Sequence, residues 1–248
     1  MEWLAWLAVA VAAFGGSFVQ TVSGFGAAIV AMAVMTLVLP LTIAAPVQTL
    51  LGLFLSVLIL GRHWDALDRR EALLLLAASV PAIPLGVYLL TTAPRELITG
   101  ALGVLLVLYA LWSLRPRAVP LVYRPNWAWA LGRTAAGFGA GLLGGAFATN
   151  GPTLMVYGTL RAWPKETFRA VLQSCFVVNT IVIEALHVSS GLLTWRVVGY
   201  VALGLPLVAL GVFAGRAVDP YLDPERFRRL VLFLVLALGV VLVGRALV

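Results

Sequence analysis

From residue 3 to residue 61 the chain carries no Asp, Glu, Lys or Arg. Crossing the hydrocarbon of a bilayer takes about 20 apolar residues, so this stretch is too long for one or two spans. It is interrupted by one small polar segment, Gln20-Thr21-Val22-Ser23-Gly24-Phe25-Gly26. Charge-free runs follow at 72–94, 97–114, 134–160, 170–183 (extendable past Glu184 to 195), 197–215 and 230–244. The 134–160 run is broken in turn at Gly144-Gly145-Ala146-Phe147-Ala148-Thr149-Asn150-Gly151-Pro152. Only 11% of residues are charged, against about 25% in soluble domains that must keep a wet surface, and 62% are hydrophobic. The pattern predicts an all-α polytopic membrane protein. The single cysteine, Cys175, excludes an intramolecular disulfide. Met1-Glu2-Trp3 lacks the basic start of a signal peptide, so the first apolar stretch is read as part of the mature protein.

The chain repeats itself. Pro81-Ala-Ile-Pro-Leu85-Gly86-Val87-Tyr88 recurs 125 positions later as Pro206-Leu-Val-Ala-Leu210-Gly211-Val212-Phe213. The same offset carries Gln48-Thr49 onto Gln173-Ser174 and Gly26 onto Gly151. This predicts two membrane repeats, 1–125 and 126–248, each a broken helical segment followed by three ordinary spans.

Basic residues decide what the broken segments do. If every segment crosses once, the two faces receive nearly equal shares of Lys and Arg. If each broken segment instead enters and returns to its own side, fourteen fall on one face: Arg62, Arg69, Arg70, Arg115, Arg117, Arg124, Arg133, Arg161, Lys165, Arg169, Arg216, Arg226, Arg228 and Arg229. Three, Arg95, Arg196 and Arg245, fall on the other. Basic residues concentrate on the cytoplasmic side of inner membranes, which selects the re-entrant arrangement with both termini outside. One hairpin and three crossings per half turns the second half upside down, giving inverted repeats with sites at discontinuous helices near the midplane. The net charge of +7 is then a topology signal rather than a surface for nucleic acid. The eight tryptophans, Trp3, Trp6, Trp64, Trp112, Trp127, Trp129, Trp163 and Trp195, fall at span ends as interfacial anchors.

In the second hairpin the pattern predicts a long arm over 128–144, a turn over 145–151 and a short return arm from Pro152; in the first, a return arm from near Ala27. A return arm of about ten residues rises only ~15 Å, leaving its N-terminus near mid-membrane. There its unpaired N–H groups and partial positive charge suit an anion without Lys or Arg. Gly137, Gly139 and Gly141 serve either this break or close helix packing. Neutral polar residues gather on the same elements. Gln20, Thr21, Ser23, Gly24 and Gly26 belong to the first turn, and Thr149, Asn150, Gly151, Pro152 and Thr153 to the second. Gln48, Thr49, Gln173 and Ser174 lie in the spans that follow. They are candidates to line an anion pathway. Glu184, with His187 one turn later, is either a proton relay or an acid at the outer interface. Further Asp, Glu, His and Cys are too sparse in the spans for a metal site, and no phosphate-binding loop for ATP is present. No nucleophile–base pair lies at depth, which argues against a membrane-embedded enzyme.

Gly144-Gly145-Ala146-Phe147, Asn150-Gly151-Pro152-Thr153-Leu154, Phe168-Arg169-Ala170, the PxxxLGV-aromatic element and the two-half layout resemble the TauE/SafE (TSUP) family of sulfite and organosulfonate exporters. In the first half, Gly24-Phe25-Gly26-Ala27-Ala28 departs from the longer glycine run and proline of that family. The resemblance implies a secondary transporter of a small anion such as sulfite, sulfoacetate or another sulfonate, coupled to a proton or sodium gradient and needing no cofactor. A passive anion channel, or a carrier of another small carboxylate or oxyanion, is the alternative.

Overall fold

The computed structural model describes residues 2–23, 26–115, 127–218, 221 and 223–247. Among these there is no strand. In the first half, α1 (Glu2–Ser23) turns back into α2 (Ala27–Met35), followed by α3 (Leu41–His63), α4 (Arg69–Ser79), α5 (Ile83–Thr92) and α6 (Arg95–Leu114). In the second, α7 (Trp127–Phe147) turns back into α8 (Gly151–Leu160), followed by α9 (Lys165–Ser189), α10 (Trp195–Val218) and α11 (Pro224–Ala246). Proline marks several starts: Pro40, Pro94 and Pro164 hold extended backbone just ahead of α3, α6 and α9. Asp68 caps α4 by accepting from the Glu71 N–H at 3.0 Å. Pro81 cannot donate to the helical ladder, and a 3₁₀ turn over Val80–Ala82 separates α4 from α5.

Among the described residues, seven helical stretches are long and apolar enough to cross a membrane: Glu2–Val22, Leu41–Ala66, Arg69–Thr92, Arg95–Leu114, Lys165–Ser189, Trp195–Val218 and Arg229–Ala246. Both broken segments are hairpins with one long arm and one short arm of nine or ten residues. The long arm of the second extends further than expected, to Phe147, because Gly144 and Gly145 remain helical. Their lack of side chains is used for packing. A Cβ on Gly145 would lie 2.6 Å from the carbonyl oxygen of Ile83 and 2.9 Å from the Val87 nitrogen. Gly137 and Gly141 press against the Leu75 and Ser79 carbonyls in the same way. Along α7, glycine therefore sets the closeness of two backbones.

Each hairpin leans on the other half. α1 runs parallel to α10, with Trp6 edge-on to Tyr200 at 4.5 Å, Ser17 at Gly211 and Thr21 at Gly215. α7 runs parallel to α4 and α5 through the glycine contacts above. α3 and α9 run antiparallel: His63 Nδ1 meets Glu166 Oε2 at 2.5 Å near one end, and Thr49 meets Glu184 toward the other. α6 and α11 are antiparallel too, with Gly100 at Ala246 and Gly103 at Gly239 and Val243.

These contacts fix which residues share an end of the bundle. α1 starts beside Tyr200, and the chain leaving α2 at Leu37 accepts from Arg245 Nη1 at 2.8 Å, so the first hairpin enters and returns at the end holding Arg196 and Arg245. At the opposite end Glu71 meets Arg133 on α7 and Arg161 after α8, so the second hairpin enters and returns there.

The packing makes a stability prediction. Gly145→Val is expected to lower the midpoint of thermal unfolding in detergent, by overpacking worth ~1–3 kcal/mol. Gly132→Ala, where a Cβ meets nothing within 4 Å, is expected to leave the midpoint unchanged or slightly raised.

Candidate functional site

The tips of the two hairpins converge on one cavity. Gln20, Gly26, Ala27, Ala28 and Ile29 come from the first, and Ala148, Thr149, Asn150, Gly151 and Met155 from the second. The middle turns of α3 (Gln48, Thr49, Gly52, Leu55, Ser56) and α9 (Phe176, Thr180) complete the wall. The cavity measures about 60 Å³, room for roughly four to six waters or one compact oxyanion. Among the described residues no Lys or Arg lines it.

Both turns depend on unusual backbone. Gly26 sits at φ 99°, where a side chain would be strained. The Ala27 N–H that follows donates to Gln20 Oε1 at 3.2 Å, so one of the open donors at the start of α2 is held by the preceding arm. In the second hairpin Ala148, a residue with a side chain, takes φ 54°. Asn150 precedes α8 but makes no side-chain cap, and Pro152 stands in the first turn. The early N–H groups of such a helix have no partner within it. Beside them the Thr149 hydroxyl is fully buried, and neither it nor Asn150 Oδ1 has a hydrogen-bond partner.

Of the residues singled out in the sequence, Gln20, Gly26, Gln48, Thr49, Thr149, Asn150 and Gly151 line the cavity. Pro152 is buried behind it in α8. Ser174 is turned to its own helix, donating to Val171 O at 2.8 Å, and Gln173 is buried with Oε1 unpartnered but does not line the cavity. Gly24 and the Ser23 side chain lie outside the described residues. Ser56, Phe176 and Thr180 were not anticipated. Helical spacing gives the missing signal, since Ser56 is two turns beyond Gln48, and Phe176 and Thr180 continue the face that begins at Gln173.

The family model for the sulfite exporter TauE/SafE matches residues 8–242. The chain belongs to this family. No curated protein and no solved structure matches the chain. With its seven candidate spans, this TauE/SafE member is a multi-pass membrane protein. The hairpin tips, with their Gly151-Pro152 turn, lie within the matched region.

Two acids of this TauE/SafE protein lie within the helix packing, Glu71 buried and Glu184 half-buried. Glu71 accepts from the Tyr157 hydroxyl at 2.5 Å and sits 3.5 Å from Arg133 Nη1 and 3.7 Å from Arg161 Nη2. It ties both arms of the second hairpin to α4. Trp129 and Trp163 fold onto Tyr157, at 6.2 and 5.6 Å between ring centroids, and both lie under the Arg161 guanidinium. They thus support this cluster as well as marking a span end. Glu184, read in the sequence as either a proton relay or an acid at the outer interface, accepts from Thr49 of the cavity wall and faces His187 Nδ1 at 3.3 Å.

Gly26→Ala is expected to destabilise the protein by ~1–2 kcal/mol, the cost of placing a side chain in left-handed backbone. Ala148→Gly is expected to be neutral or stabilising. Thermal unfolding of the purified variants measures both.

Proposed function

We propose that this protein is a secondary transporter that carries a small sulfur-containing oxyanion, sulfite or a compact sulfonate, across the cell inner membrane. The anion binds between the two hairpin tips. One observation carries the reading: the starts of two half-length helices meet at a small, cation-free cavity beside a buried hydroxyl without a partner. Helix N-termini bind anions through N–H groups and the helix dipole, and neutral ligands release an anion more readily than a buried arginine would.

The family supports export of a sulfite-type anion. The two halves act as inverted repeats. Supporting this are the antiparallel packing of α3 on α9 and of α6 on α11, and the entry of the two hairpins at opposite ends. Rocking of one hairpin with its partner helices against the other exposes the cavity alternately, the usual mechanism of such folds. The basic end faces the cytoplasm and both termini lie outside. A proton or sodium gradient drives net movement.

Counterflow in proteoliposomes tests this. Labelled sulfite is expected to exchange against unlabelled sulfite or methanesulfonate inside the vesicles. Thr149→Val, which keeps the shape and removes the hydroxyl, is expected to raise the half-saturating sulfite concentration on the order of tenfold to a hundredfold, the loss of one hydrogen bond to a charged group. Electrical conduction without exchange means a channel, and no exchange of any small oxyanion contradicts the proposal. Labelling of single cysteines placed at the termini is expected from the outside only.

A further inference from the structure

Glu184 lies on α9, five residues before the helix ends at Ser189, between the outer end of the bundle and the cavity. Its side chain is 12% exposed. Oε1 meets the Thr49 hydroxyl and His187 Nδ1, while Oε2 is buried and has no partner. His187 is fully buried, and its Nε2 also lacks a partner. Among the described residues no Lys or Arg pairs with Glu184. From the packed elements, Thr49 of α3 meets it. Among the described residues, the titratable group that meets it is His187.

The bare Oε2 of Glu184 and the bare Nε2 of His187 are buried positions that a proton can occupy without displacing an existing partner. Sodium fits less well. Hard cations want several oxygen ligands, whereas the carboxylate here meets one hydroxyl and one imidazole. Thr49 also supplies a switch. Its single hydrogen has two kinds of acceptor in reach, Glu184 Oε1 and the helix carbonyls of Ala45 and Pro46, at 2.9 and 3.2 Å. With Glu184 ionised, Thr49 donates to it. With Glu184 protonated, the carboxyl can donate instead and the Thr49 hydrogen returns to its own helix.

We propose that Glu184, with His187 beside it, is the proton-binding site of this transporter, linked to the anion cavity through Thr49. The inference rests on the anion-transport reading above. A negative carboxylate one side chain behind the cavity wall repels an anion, and protonation removes that repulsion. Proton and anion therefore bind together, each raising the affinity for the other by the same factor, on the order of tenfold for unit charges separated by one side chain. They cross in the same direction: an acid exterior drives uptake, and export runs where the internal anion concentration outweighs the proton gradient.

The test uses wild-type protein and Glu184→Gln in proteoliposomes. Exchange of labelled sulfite at equal pH on both sides reads anion transport alone. Uptake of labelled methanesulfonate, whose charge is constant from pH 5 to 8, under an imposed gradient of one pH unit reads coupling. Wild-type protein is expected to accumulate methanesulfonate toward the acid-driven tenfold limit. Glu184→Gln is expected to exchange sulfite within about threefold of wild type and to accumulate nothing. Equal accumulation by both proteins overturns the proton site while leaving the carrier intact; absence of wild-type exchange overturns the carrier reading itself. If Glu184→Gln does not reach the membrane, wild-type exchange of methanesulfonate decides, being expected to fall as pH rises from 5 to 8. Exchange independent of pH overturns the proposal.

Discussion

A backbone N–H inside a membrane must find a partner, because lipid offers none. The interior of this protein is almost free of charge, yet it starts two helices, α2 and α8, within it. Everything around the cavity answers that constraint. Gln20 reaches from α1 to the first N–H of α2. Gly26 and Ala148 bend the chain through left-handed backbone so that the short arms can begin there. Around the start of α8, by contrast, a buried hydroxyl stands unpartnered, and the proposed anion would satisfy both it and the adjacent N–H groups.

The hairpins hold their positions through backbone-to-backbone packing rather than through side-chain interlock. α7 lies on α4 and α5 by way of Gly137, Gly141 and Gly145, and α1 lies on α10 at Gly211 and Gly215. Close small-residue contacts of this kind suit a membrane, where apolar burial gives no preference for helix over lipid. Each hairpin and its partner helices form one body, with α3 and α9 between the bodies carrying the middle of the cavity wall. Glu71, with Tyr157, Arg133 and Arg161, adds a polar clamp to the second body alone. The repeat does not reproduce the clamp at the first hairpin: the offset of 125 places Met32 at the position of Tyr157, and Arg196 of the second half at that of Glu71.

Much of this arrangement was legible in the sequence. Polar and glycine breaks inside charge-free runs located both hairpins, since nothing else makes such a break tolerable in lipid. The distribution of arginines grouped Arg69, Arg133 and Arg161 on one face, and Glu71 does gather Arg133 and Arg161 there. Boundaries were less legible. Gly144 and Gly145 look like helix breakers, yet continue α7: Gly145 makes room for α5, more than fifty residues away, and Gly144 for the side chains of Asn150 and Ile183. Long-range pairing accounts for the other gaps. Neither Glu71 nor Tyr157 announces the other, and the link from Glu184 to Thr49 joins two halves whose relative placement no local pattern encodes. Gln173 shows the limit of repeat logic: it matches Gln48 in register, but only Gln48 reaches the cavity.

The central claim is that a small oxyanion sits between the two hairpin tips. Selenite, a sulfite analogue with a strong anomalous signal, tests it most directly in crystals of the protein. The account predicts one selenium peak enclosed by Gly26–Ile29, Thr149–Gly151 and the Gln48–Thr49 turn of α3. A peak at the Arg133 and Arg161 cluster, with none between the tips, would contradict it.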